Sequence, residues 1–240
     1  MKASLEEQQA LIDLVEVDRE LGRLTYALRT LPVYGELEAA ESALGVAQKQ
    51  AKDHEAARPA LETTIADCGA KVEQLNASIA RKQGQLDSGE NMDSRQLLVL
   101  QGDIDGLKAM RGDTETLELE AMEELEGLEE QLAEDARQID QANATRDALV
   151  DRKTAEVRDL EGQIAEVRAR RSALAATISP NLVDAYDESR SMGGAGVVVM
   201  TSDGTVDGGL DLSLTEFEKI KSLPDDEVYV TEEGAVVVKG

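Results

Sequence analysis

Residues 61–86, LETTIADCGAKVEQLNASIARKQGQL, decide the fold. Leu61, Ile65, Cys68, Val72, Leu75, Ile79, Lys82 and Leu86 recur by fours and threes, and seven of the eight are apolar. That spacing winds one narrow stripe along a helix, the seam of a coiled coil. The following stretch, DSGENMDS (87–94), has no apolar period and concentrates Asp, Ser, Gly and Asn, which supply left-handed backbone and helix N-caps. It predicts a hairpin tip.

Beyond the tip the stripe restarts at Leu97, Leu100, Ile104 and Leu107, and Leu125, Leu132, Ile139, Arg146, Lys153, Leu160, Val167 and Leu174 follow at intervals of seven. The companion positions Leu128, Ala142 and Leu149 give way to Val157, Ile164 and Ile178, a shift of one residue near 150. On the N-terminal side, Leu14, Val17, Leu21, Leu24, Leu28 and Leu31 form another seam, which should break at Leu31-Pro32. A second interruption is expected at Pro59. Two arms of similar length around a short tip favour an intramolecular antiparallel hairpin over a parallel homodimer, because each seam then buries against the other. Monomer and homodimer both stay open.

The composition fits this reading. Of 240 residues, 50 are acidic and 25 basic, a formal charge of -25; aromatics make up 2%, Trp is absent, and Phe217 is the single Phe. So few aromatics argue against a large globular core. One Cys and one His exclude a disulfide framework and a zinc site of four Cys/His ligands. The first 20 residues carry six acidic side chains and no apolar h-region, so a cytoplasmic location without membrane insertion is expected.

Past Ser179-Pro180 the pattern changes. Residues 181–196, ending in SMGGAG, read as a linker after a helical region spanning 1–180. VVVMT (197–201) reads as a strand, 213–222 as a helix with Ser213 as N-cap and Glu216 at the capping-box position, and EVYV with AVVV as a terminal hairpin. The fold class is therefore mainly α: a long antiparallel coiled-coil hairpin with a small β-rich module at 197–240. A module of this size is too small to hold itself together without disulfides, metal or an outside surface.

A hairpin followed by such a module resembles the bacterial coiled-coil and C4-type zinc-ribbon family, whose members are often labelled nucleic-acid-binding. The likeness rests on MDSRQLLVLQGDI (92–104), LVDAYDESR (182–190), DGTVDGGLDLSLTEFEKI (203–220) and EVYVTEEGAVVV (227–238). In the family the last two runs each hold a CxxC knuckle. Here the four cysteine positions fall on Val206, Gly209, Val230 and Glu233, none of which supplies a thiolate. The resemblance therefore implies a zinc-ribbon-like module without zinc, in which Val206 and Val230 replace metal by apolar packing.

No catalytic residue, cofactor or metal site is expected. Cys68 occupies a seam position and reads as packing. His54, in the polar stretch KDHEAARP (52–59), reads as a solvated imidazole. Asp203, Asp207 and Asp211 do not match an EF-hand loop and read as turn residues. GGAG (193–196) lacks the Lys-Ser/Thr pair of a phosphate loop. The carboxylate run ELEAMEELEGLEE (118–130) reads as a solvated face. Asn91, Met92, Asp93, Ser94 and Arg95 at the tip are the partner-binding candidates, with capping of the second helix by Asp93 or Ser94 as the competing account. The expected function is a non-enzymatic adaptor for protein partners. The nucleic-acid role implied by the family label is weakened by the charge, since the tail from 181 has four basic and 13 acidic residues.

Overall fold

A computed structural model describes residues 1–88, 93–201, 206, 213–231 and 234–239. Among these described residues are five helices, α1 (Leu5–Arg29), α2 (Pro32–Ser88), α3 (Ser94–Ala175), α4 (Pro180–Ser191) and α5 (Leu214–Ser222), with strands β1 (Val197–Met200), β2 (Tyr229–Val230) and β3 (Val236–Lys239). They form two compact units, one of residues 35–150 and one of residues 1–34 with 151–240.

The unit of residues 35–150 pairs α2 with the first part of α3. Across the seam His54 meets Asp135, Arg58 meets Glu129, Asn76 meets Arg111 and Lys82 meets Asp103. Residue numbers rise along one helix as they fall along the other, the order an antiparallel pair requires. Leu44, Leu75, Leu100, Ile104, Ala121 and Leu128 are buried, and the other expected seam residues of α2 are half-buried. A two-helix seam covers each side chain from one direction only, so partial burial is its normal state.

The expected break at Leu31-Pro32 is present. Helix α1 closes at Thr30, whose N–H donates to the carbonyls of Tyr26 and Ala27, and α2 opens on Pro32. Proline suits a first helical turn, where its missing donor is not needed. The expected interruption at Pro59 is absent, because α2 runs through it. Pro59 is exposed and has no N–H to donate, so α2 continues past it with one backbone hydrogen bond fewer.

The second unit corrects the expected boundary between a helical region at 1–180 and a separate module. Residues 181–196 are not a free linker: Pro180–Ser191 is α4, in which Leu182 and Tyr186 are fully buried. Leu182 and Tyr186 stand one turn apart and face a core that also holds Leu11, Leu14, Val197, Val228, Val236 and Val238. The short LVDAYDESR run gains its helix from that contact, which a local reading does not reveal.

Strand β3 lies central, parallel to β1 and antiparallel to β2. Alternate residues go to opposite faces. Val197, Val230, Val236 and Val238 join the core built with α1 and α4, while Val198, Met200, Tyr229 and Val237 pack with Ile220, Phe217 and Val206. Burial on both faces explains the unbroken valine runs. Helix α5 carries the expected reciprocal cap between Ser213 and Glu216.

Outside support for this small sheet comes from the first residues of the chain. The Ala3 N–H donates to the Asp226 carbonyl at 2.8 Å, the Val228 N–H to the Met1 carbonyl at 2.8 Å, and the buried Gln8 amide to the carbonyls of Ala3 and Asp225. Ser4 and Glu7 then cap α1 reciprocally.

Candidate partner-binding surfaces

At the tip, Asn91 and Met92 lie outside the described residues. Asp93 takes part in a capping box: its carboxylate accepts from the Gln96 N–H at 2.8 Å, and the Gln96 side chain accepts from the Asp93 N–H at 2.9 Å. This supports the capping account for Asp93. Ser94 and Arg95 are exposed on the first turn of α3. The neighbours missed in the sequence are Leu98 and Val99, 75% and 61% exposed. Their signal was present, because LLVL at 97–100 holds two more apolar residues than a seam stepping from Leu97 to Leu100 can bury.

Of the four positions where the zinc-ribbon resemblance would place cysteine, Val206 forms an isolated antiparallel bridge with Met200 and packs beside Ile220, whereas Val230 packs on the opposite sheet face. Gly209 and Glu233 lie outside the described residues, as do Asp203, Asp207 and Asp211. The two valines thus enter different apolar clusters and do not converge on one point. GGAG is a tight turn: Gly193 and Gly196 have φ of 81° and 74°. A Cβ at Gly196 would stand 2.7 Å from the Tyr186 ring.

Three polar features inside or beside the helices went unread. His54, half-buried, places Nδ1 2.6 Å from Asp135 Oδ2, so it is paired rather than merely solvated. Asp18, also buried, accepts from Arg171 Nε at 2.7 Å and from the Tyr186 hydroxyl at 2.8 Å, and Arg171 reaches Asp187 as well. Asp18 holds the Arg171 guanidinium more firmly protonated, and burial, aided by Asp18, pushes the Tyr186 hydroxyl above its ordinary range. The third is Tyr26, 70% exposed on α1 in a groove with Leu21, Thr25, Arg29, Arg171 and Arg190. A second groove on its other side holds Arg19 and Arg23. Cys68 is half-buried and free.

The family model of the CT398-like coiled-coil hairpin domain matches residues 14–194, three quarters of the sequence. The chain belongs to that family. Two Mycobacterium tuberculosis members of the curated proteins, uncharacterized proteins Rv2229c and MT2288, are each 26% identical to it over 100% of this chain and 98% of theirs. A structure from Mycobacterium smegmatis superposes with a TM-score of 0.79 at 23% identity, covering 100% of both chains. CT398 of Chlamydia trachomatis gives 0.66 at 14% identity and 98% coverage of both. HP0958 of Helicobacter pylori gives 0.51 at 15%, covering 99% of this chain and 98% of its own. These likenesses establish the fold. The CT398-like hairpin is thereby shown, while the zinc-ribbon and nucleic-acid-binding label receives no support from the same matches. No described helix is long and apolar enough to cross a membrane.

Proposed function

We propose that this CT398-like hairpin is a non-enzymatic cytoplasmic adaptor that offers its tip and its C-terminal sheet module to protein partners. The observation that carries the reading is the exposure of Leu98 and Val99 beside Arg95, immediately after the tip. Neither apolar side chain is needed by the seam, and leaving both in water forgoes roughly 1.5–3 kcal/mol each of burial. A protein surface that covers them recovers that energy.

The test uses the full chain, because α4 and the sheet complete the core around Leu11 and Leu14 and a bait cut at 181 would expose it. Cross-linked capture from native cells is run with the native chain and with Leu98→Asp/Val99→Asp, each with and without nuclease. The expected result is a protein partner that survives nuclease and is lost with the double substitution at unchanged helicity. Capture that nuclease abolishes, or that the substitution leaves intact, overturns the proposal.

A further inference from the structure

We infer that the face of α1 around Tyr26 is a docking groove for a short acidic peptide segment of a protein partner. Arg19, Arg23, Tyr26 and Arg29 follow one another at helical spacings of four, three and three, which places them along one face. Gly22, with nothing within 4 Å of its Cβ position, leaves the floor open where the two grooves join.

Local charge separates this face from the rest of the chain. Glu16 is engaged by Arg19, while Asp18 and Asp187 are both engaged by Arg171. Arg23 and Arg29 have no carboxylate partner among the described residues, and Arg190 stacks its guanidinium 5.9 Å from the Tyr186 ring centre. Three guanidiniums therefore remain uncommitted to carboxylates in a chain of net charge -25. Each can hold a carboxylate by two parallel N–H donors. The exposed Tyr26 ring between them offers an apolar surface, and tyrosine and arginine are both enriched among the residues that carry most of the binding energy at protein interfaces.

The occupant follows from that pattern. A few carboxylates interleaved with apolar side chains match three arginines around one ring. A nucleic acid would bring a dense row of phosphates against the field of a strongly acidic chain. The inference rests on the adaptor reading in taking the ligand to be a protein segment, but it concerns a different surface from the tip.

The test is direct. Binding of a fluorescein-labelled Glu-Leu-Glu-Glu-Leu-Glu-Glu-Glu peptide is followed by anisotropy, with its Gln-for-Glu counterpart and a single-stranded oligonucleotide as comparisons. Arg23→Glu/Arg29→Glu should weaken the acidic peptide about tenfold or more, whereas the charge-matched control Arg158→Glu/Arg168→Glu should not. Arg23→Gln/Arg29→Gln provides a milder variant, and circular dichroism checks that the helices persist. Absent or weaker binding than the Gln peptide, equal loss in the control, or tighter binding of the oligonucleotide overturns the inference. Failure here leaves capture through Leu98 and Val99 unaffected, so the two readings fail separately.

Discussion

His54 and Asp135 face each other across α2 and α3, Nδ1 to Oδ2 at 2.6 Å, with Asp135 only 3% exposed. Asp135 stands seven residues from both Leu128 and Ala142, so a carboxylate occupies a position where the seam otherwise carries apolar groups. A polar pair at such a place selects one register, because sliding either helix leaves the carboxylate buried without its partner. His54→Leu should therefore cost about 1–3 kcal/mol in urea unfolding. The double change His54→Leu/Asp135→Leu should restore most of that loss while loosening register, read by cysteine cross-linking across the pair. A double variant as destabilised as the single one contradicts this account.

Asp18 joins three elements, α1 through its own backbone, α3 through Arg171 and α4 through Tyr186. Asp18→Ala strands the fully buried Tyr186 hydroxyl and leaves the half-buried Arg171 guanidinium with Asp187 alone. The expected loss is about 3 kcal/mol, with part of the arginine's share offset by solvent. Tyr186→Phe should cost less, about 1 kcal/mol, since it removes a single hydrogen bond and leaves the ring packed. Both are read from denaturant midpoints.

The ends of the pH range should act through different residues. Glu7 lies below its ordinary value of 4.5, first because the Ser4 N–H donates to its carboxylate and then because the Ser179 N–H does. A depressed carboxyl gives stability that is full above 4.5 and disappears as pH falls through the lowered value. Tyr186 lies above its ordinary 10.0, through burial first and the bond to Asp18 second. Its contribution is full below 10 and declines as pH rises from there toward the raised value. Thermal melting against pH should show a shallower acid limb for Glu7→Gln and a shallower alkaline limb for Tyr186→Phe. Unchanged limbs would sink these assignments.

Gly196 cannot carry a side chain cheaply. Its φ of 74° disfavours any L-residue, and an added Cβ would meet the Tyr186 ring. Gly196→Ala should destabilise the unit of residues 1–34 and 151–240 by about 1–3 kcal/mol. Gly162→Ala, a helical position with open space, should stabilise by up to about 1 kcal/mol. Equal melting shifts of the same sign would refute the distinction.

Pro59 sits inside α2 without ending it. Pro59→Ala supplies the missing amide and should raise stability by about 1–3 kcal/mol. No change in the urea midpoint would mean that the surrounding helix has already absorbed the cost.

The hairpin was legible because a spacing of threes and fours recurs along both arms, with a shift of one residue near 150, and is missing from the tip. Its polar exceptions carried information as well: Lys82 pairs with Asp103 at 2.5 Å, and the Lys153 ammonium lies 5.7 Å over the Tyr34 ring. The Ser213 and Glu216 cap was also readable, since its signal spans four residues. Helix α4 was not, because its two buried anchors, Leu182 and Tyr186, are too few to establish a period. Nor was the parallel pairing of Val197 with Val236, for which no turn motif exists. The groove around Tyr26 escaped because charge was weighed along the chain, whereas Arg190 reaches it from another helix.

Residues 1–34 and 151–240 build one unit, and residues 35–150 build the other from an uninterrupted stretch. A ribosome releases the chain from its N-terminus, so the hairpin segment can zip while its surroundings are still being made. Leu11 and Leu14 must wait for Val236 and Val238, almost the whole length of synthesis later, before their core can close. Until then α1 presents a naked apolar stripe, and a molecule cut short at any point before the last strand announces itself by that exposure.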